Sequence, residues 1–168
     1  MSKAVLISIR PKWCEKIVNG DKTIEVRKTR PKMNTPFKCY IYCTLPKYPH
    51  EDFIATDYPM PQFYGGGKVI GEFTCERIAL IAYDGGELSS TTNAAFSPAT
   101  CLTQSEIIAY IGDKGRCYGW HMSNLRIYDT PRELSEFTGL RDTRFGAAPY
   151  DIKRAPQSWC YVEEVRVR

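Results

Sequence analysis

Recurring β-type runs, separated by glycine, proline and polar residues, constrain the fold of this chain most. Residues 4–9 are apolar at odd and even positions alike, which is typical of a strand buried on both faces. Further runs with strand character cover residues 22–28, 37–43, 68–75, 77–83, 117–128 and 159–167. Six or seven strands of this kind predict an α+β domain with a mixed, barrel-like β-sheet.

Two or three short helices complete the predicted fold. Pro11 suits the first helical turn, and the apolar spacing that follows predicts a helix over 11–19. Thr103–Glu106 has the form of a capping box, and the helix that it opens ends at Gly112. Residues 130–133 have the same form and predict a helical turn through residue 137.

The remaining stretches predict loops within one domain that spans residues 1–168. Residues 84–100 are small and polar, and residues 141–157 are basic and lack periodicity. Residues 44–67 interleave prolines and aromatic residues and end in three glycines, so we interpret them as an insertion loop. The aromatic side chains of that insertion either pack it down or form a surface for a ligand or a protein partner.

Composition narrows the protein class. No apolar run approaches the length of a membrane span or of a signal-peptide core, so we expect a cytoplasmic protein without membrane contact. Seven cysteines occur at irregular spacing, with no Cys-x-x-Cys pair and only two histidines. This pattern favours free, buried thiols over a disulfide framework or a zinc site, and we predict no metal or cofactor.

Positive charge is concentrated at the start of the chain. The net charge is only +4, but the first 38 residues contain ten lysines and arginines and three acidic residues. A basic block on an otherwise nearly neutral chain is the electrostatic pattern expected for a polyanion partner. The alternative is a solvated basic surface that binds nothing.

One short string carries a family resemblance. Residues 20–27, Gly-Asp-Lys-Thr-Ile-Glu-Val-Arg, match Gly-x-Lys-x-x-Glu-x-Arg and follow a predicted strand and helix. In this, the chain resembles ASCH domains of the PUA-like superfamily. Residues 68–72 are similar to the family's central strand, and residues 118–121 and 158–161 are similar to its later strands as seen in phage- and prophage-encoded members. The resemblance implies a PUA-like pseudo-barrel with a cleft beside the first helix, and RNA or a nucleotide as the ligand.

The motif side chains suit that ligand on chemical grounds. Lys22 lies at the predicted helix-to-strand corner, where its ammonium is able to meet a phosphate. Arg27 suits bidentate phosphate contact or stacking on a base. Glu25 shares a strand face with Arg27 and either holds it in place or acts as a base. The alternative is a Glu25–Arg27 ion pair that lies on the sheet without a role in binding. Such a pair contributes at most about 1 kcal/mol to stability if it is exposed.

Five further residues are candidates for binding nucleic acid. Arg10 and Lys12 lie at the start of the first predicted helix, whose free N–H groups favour anions. Tyr118 and Trp120 share a strand face and form either a stacking platform or part of the core. Ser158 is a candidate hydrogen-bond donor.

These residues support three functional hypotheses. The first is an RNA- or nucleotide-binding module that uses a basic cleft beside the first helix. The second is a hydrolase acting on RNA or on a modified nucleoside, with Lys22 and Glu25 as its catalytic pair. The position of Glu25 is a threonine in the relatives that deacetylate modified cytidine, and this departure argues against that reaction. The third is an accessory factor that binds a protein through residues 44–67.

Overall fold

The computed structural model of the protein describes residues 2–45 and 66–166. Within these ranges the chain forms nine strands and two α-helices. Their bounds are β1 Lys3–Ile9, α1 Pro11–Val18, β2 Ile24–Arg27, β3 Phe37–Cys43, β4 Lys68–Asp84, β5 Glu87–Ser90, α2 Gln104–Ile111, β6 Arg116–Arg132, β7 Thr138–Thr143, β8 Gly146–Asp151 and β9 Trp159–Glu163. Each α-helix has eight residues, and no described helix is long and apolar enough to cross a membrane.

The chain divides into two compact units. The first unit comprises Met1–Glu15, Lys38–Phe73 and Leu125–Arg168, and the second comprises Lys16–Phe37 and Thr74–Asn124. Strands β4 and β6, each 17 residues long, supply residues to both units. The expectation of a single domain over residues 1–168 stays a prediction.

Strand β1 is central to the sheet of the first unit. It pairs in parallel with β3, where Val5 is opposite Cys39, and antiparallel with β9, where Val5 is opposite Tyr161. Strand β9 pairs with β7, and β7 pairs with β8. Residues 4–9 are all buried, as their uninterrupted apolar pattern predicts. The buried core of this unit consists of Ala4, Leu6, Tyr40, Val69, Phe137, Ile152 and Val162.

The second unit has its own core, to which β2 contributes one face. Strand β2 is antiparallel to β6, and β5 is antiparallel to β4. Helix α2 packs Ile107 and Ile111 into the same core. The buried residues of this core are Ile24, Val26, Ala79, Ile81, Ala94, Ala95, Ile107, Ile111 and Cys117.

The predicted fold class is confirmed. The sheet is mixed and is accompanied by two α-helices. In the part of the chain that the structure describes, the path of hydrogen-bonded strands ends at β2 and at β8, so the sheet is not closed. The predicted helices at 11–19 and after Thr103 are also confirmed. Thr103 and Glu106 form both hydrogen bonds of the capping box, and Gly112 follows the last residue of α2.

Three local predictions were wrong. Residues 84–100 are not a plain loop: they contain β5 and two 3₁₀ turns, Asn93–Phe96 and Pro98–Thr100. Thr92 and Ser97 cap these turns by accepting hydrogen bonds from backbone N–H groups two residues later. Small polar residues therefore fold here through side-chain-to-backbone bonds, which hydrophobic periodicity does not detect.

The second wrong prediction is the capping box at residues 130–133. Strand β6 continues through Arg132, and the 3₁₀ turn that follows is Leu134–Glu136. Its capping box joins Glu133 to Glu136 instead. Pairing within the sheet thus keeps Thr130 in an extended conformation that local sequence preference does not reveal.

The third wrong prediction is the irregular basic loop at 141–157. Residues Thr138–Thr143 and Gly146–Asp151 form an antiparallel hairpin, β7–β8. Its strands are largely exposed, so they lack the apolar alternation by which a half-buried strand is recognised. The predicted insertion at 44–67 lies mostly outside the described residues.

Candidate functional site

The motif lysine is buried inside the second unit. Gly20, in the left-handed conformation with φ +84°, follows α1 and turns the chain towards β2. The Lys22 side chain is only 3% exposed. Its ammonium donates a 2.6 Å hydrogen bond to the carbonyl oxygen of Thr100. Thr100 ends a 3₁₀ turn, where backbone carbonyl groups favour a cation.

Glu25 links Lys22 to Arg27. Its Oε2 atom lies 3.5 Å from the Lys22 ammonium, and its Oε1 atom accepts a 3.0 Å hydrogen bond from Arg27 Nε. The Glu25 and Arg27 side chains are 7% and 12% exposed. The two cations and one carboxylate thus form a buried chain of ion pairs, and its arginine end is the most exposed. The Glu25–Arg27 ion pair is therefore buried and is not an exposed pair on the sheet surface.

Cross-strand pairing places the predicted aromatic residues beside the motif. In the antiparallel register of β2 and β6, Glu25 is opposite Trp120 and Arg27 is opposite Tyr118. Directly opposite residues share a face of the sheet. The structure therefore brings Glu25, Arg27, Tyr118 and Trp120 together on one face, while Ile24 and Val26 enter the core from the other.

The two aromatic residues differ in accessibility. Trp120 is fully buried, and Phe37 packs edge-on against its ring at a centroid distance of 6.0 Å. Trp120 is therefore a core residue in this structure and presents no surface on which a base stacks. Tyr118 is half-buried and remains the accessible aromatic of the predicted platform.

Tyr110, on α2, is a neighbour of the site that sequence reasoning did not identify. The ammonium of Lys28 lies over its ring, 5.2 Å from the centroid. Burial raises the pKa of Tyr110, and the charges of Arg27 and Glu25 act on the same hydroxyl in opposite directions. The only sequence signal for Tyr110 is its place on a helix that packs its isoleucines into the core. Thr100 was missed as well, because nothing local marks its carbonyl group as a lysine acceptor.

The other predicted binding residues belong to the first unit. Arg10 and Lys12 are exposed at the start of α1, where the Arg10 carbonyl accepts the N–H groups of residues 13 and 14. The Lys12 ammonium lies over the Trp13 ring at 4.6 Å from the centroid. Ser158 is half-buried, and its carbonyl accepts the Ser8 N–H. Binding roles for these three residues stay predictions. No group of three His, Cys, Asp or Glu residues within the described ranges could hold a metal ion.

Comparison with known proteins identifies the fold. No protein-family model matches the sequence, and no curated protein matches it. The structure, however, matches the crystal structure of ASCH from Zymomonas mobilis with a TM-score of 0.59, at 19% sequence identity, over 96% of this chain and 88% of the other. The chain has the ASCH fold.

Crystal structures of two variants of the same ASCH protein agree with this result. One carries a tyrosine-to-phenylalanine change and the other a serine-to-alanine change. Both match with a TM-score of 0.59 and 18% identity over 96% of this chain, and over 91% and 89% of theirs. The ASCH fold that the eight-residue motif predicted is therefore supported by the tertiary structure. Similarity to phage-encoded members in particular stays a prediction.

Proposed function

We propose that this chain binds RNA, or a nucleotide-sized part of it, at the face where β2 and β6 present Arg27 and Tyr118. The observation that carries the proposal is the cross-strand pair itself: a guanidinium held by Glu25 lies opposite a half-buried tyrosine. A guanidinium contacts a phosphate through parallel N–H groups, and an aromatic ring stacks on a base. Together they supply the two contacts that a single nucleotide requires.

The buried part of the motif explains how this pair is positioned. Lys22 and Glu25 are engaged with one another and with Thr100, so we assign them to orienting Arg27 rather than to touching the ligand. Preorganised side chains bind more tightly because less conformational entropy is lost on binding. The ASCH fold and the basic character of the first 38 residues support the same ligand class.

Anisotropy titration of a short labelled single-stranded RNA tests the proposal. We expect Arg27→Gln and Tyr118→Leu each to weaken binding by about tenfold or more, because each removes a charge-assisted or a stacking contact. Arg27→Lys retains the charge that Glu25 requires and loses the fork of donors, so it should fall between Arg27→Gln and wild type. Arg77→Gln removes an exposed arginine of β4 and serves as the control.

Two results would contradict the proposal. One is the absence of any RNA binding by the wild-type chain at low salt. The other is unchanged affinity in both site variants, provided that circular dichroism shows each variant to be folded. The same samples, run on a denaturing gel, test the hydrolase hypothesis, for which shortened RNA is the required outcome. The Lys22 and Glu25 side chains are 3% and 7% exposed, and this burial favours binding over catalysis by that pair.

A further inference from the structure

A second feature of the second unit is a cleft that the motif does not explain. We name it the loop cleft. It has a volume of about 740 Å³ and is formed by the segment between β2 and β3 together with the end of the 3₁₀ turn Gly112–Lys114 and the start of β6. Its lining residues are Lys28, Thr29, Arg30, Pro31, Lys32, Met33, Asn34, Lys114, Arg116 and Tyr118.

The charged residues that line the loop cleft are all basic. The second unit contains nine lysines and arginines and seven aspartates and glutamates. Five of the nine basic residues line the cleft, and none of the seven acidic residues does. Within the described ranges, Lys28, Arg30, Lys114 and Arg116 form no ion pair with a carboxylate. Most protein surfaces mix charges of both signs, so this segregation requires a reason.

Both walls of the loop cleft are anchored. Pro31, in the segment between β2 and β3, is buried, and Phe37, the first residue of β3, packs against Trp120. On the opposite wall Gly115, with φ +72°, makes the turn that places Lys114 and Arg116 on either side of it, and its carbonyl accepts the Tyr83 N–H at 2.9 Å. The basic side chains are therefore carried on backbone that is fixed at several points.

We infer that the loop cleft is a binding site for the phosphate backbone of a nucleic-acid strand. Like charges held in one cleft repel each other, and a polyanion relieves that repulsion while releasing its own counterions. Arg27, opposite Tyr118 in the β2–β6 register, directly precedes the cleft segment, so a strand whose nucleotide sits at Arg27 has its next phosphates beside the cleft cations. This inference rests on the proposed function, and it adds a second, sequence-independent contact region.

Salt dependence of binding provides a quantitative test. Each neutralised phosphate of a single strand contributes about −0.7 to the slope of log K against log salt, so the five cleft cations together with Arg27 give a slope of about −4.2. The affinity of the wild-type chain should then fall about 300-fold between 50 and 200 mM salt. Arg30→Ala/Lys114→Ala/Arg116→Ala removes three contacts, so the slope should drop to about −2.1 and the fall to about 20-fold.

A matched control separates the cleft from overall charge. Arg144→Ala/Lys153→Ala/Arg154→Ala removes the same number of positive charges from exposed positions of the first unit, and its slope should equal that of wild type. Single-stranded DNA of the same sequence should show the same decrease in slope in the cleft variant, because the backbone phosphate is common to both polymers. Polyglutamate is also a polyanion and competes electrostatically for the cleft, so at an equal concentration of charge it should displace the labelled RNA less effectively than unlabelled RNA does.

The outcomes distinguish this inference from the proposed function. If the wild-type chain binds RNA but both triple variants have the same salt slope, the cleft inference is wrong and the Arg27–Tyr118 proposal stands. Displacement by polyglutamate that is at least as effective as displacement by unlabelled RNA overturns the inference in favour of an acidic protein partner. If the wild-type chain fails to bind RNA at low salt, the proposed function itself is wrong. Thermal melting of both triple variants establishes that they are folded.

Discussion

At the scale of single residues, the buried ion pairs of the motif have an electrostatic cost that the fold offsets locally. Removing a charged group from water is unfavourable unless partners surround it. Lys22 has two such partners, the Thr100 carbonyl and the Glu25 carboxylate, and Arg27 binds the other carboxylate oxygen of Glu25. Glu25 is therefore the residue on which the geometry of both cations depends.

Removal of Lys22 should consequently destabilise the protein. In Lys22→Met, the Glu25 carboxylate stays buried and keeps only Arg27 as a partner, so we expect the free energy of unfolding to fall by about 3 kcal/mol. The double variant Lys22→Met/Glu25→Gln should recover part of this loss, because no buried carboxylate then remains. Urea denaturation measures both effects.

Lys16→Met provides the matched control for that measurement. The Lys16 side chain is 48% exposed, and its ammonium lies as far as 4.0 Å from the Asp21 carboxylate oxygen. Because this surface ion pair is weak, the same substitution there should change the free energy of unfolding by no more than about 0.5 kcal/mol. Equal losses at positions 16 and 22 would show that the ion-pair chain contributes nothing specific.

At the scale of elements, the β7–β8 hairpin is held by a glycine–aromatic pair. Gly139 is opposite Tyr150, and the Tyr150 ring occupies the space into which a Cβ atom on Gly139 would project. The Arg141 guanidinium lies over the same ring at 4.8 Å from its centroid. A ring that covers a strand glycine in this way stabilises cross-strand register.

Substitution of that glycine should be costly only while the ring is present. We expect Gly139→Ala to lower the free energy of unfolding by about 1–3 kcal/mol, since the added methyl group displaces the Tyr150 ring. In a Tyr150→Ala background the same change should cost much less. A double-mutant cycle followed by urea denaturation measures this coupling, and strictly additive effects would rule out the ring contact as the cause.

At the scale of the whole molecule, the cysteines report on how completely the chain is packed. All seven are free thiols: five are buried, and Cys101 and Cys160 are half-buried. Burial raises the pKa of the Cys75 thiol to about 12 and that of the Cys117 thiol to about 11. Both groups therefore remain protonated at neutral pH, and it is the thiolate that reacts.

Thiol titration should accordingly separate native from unfolded protein. With a disulfide reagent at mildly alkaline pH, we expect Cys101 and Cys160 to react first and the five buried thiols to react only as the protein opens. All seven should react at once in denaturant. A higher pH should accelerate the reaction of the native protein. The reason is that a larger fraction of each thiol whose pKa is raised by burial is then present as the reactive thiolate. Rapid reaction of Cys75 under native conditions would contradict the packing around β4.

Much of the fold was predictable because its signals are local. The apolar run at 4–9, the proline at the start of α1 and the Thr103–Glu106 capping box each act within a few residues, and each gave the right element. The alternation in this region also predicted that Glu25 and Arg27 share a face of the strand, as the β2–β6 register shows. The β7–β8 hairpin was missed because its exposed strands carry no such alternation.

The sequence by itself determined strands β1, β2, β3, β4, β6 and β9, the two helices, the ASCH-type motif and the shared strand face of Glu25 and Arg27. Tertiary structure alone decided that Lys22 is buried, because its acceptor Thr100 is 78 residues away along the chain. It also decided that Trp120 belongs to the core, and that Lys114 and Arg116 join the basic segment after β2. Such contacts depend on which strands pair, and pairing between distant segments is set by the packing of the whole unit rather than by local preference.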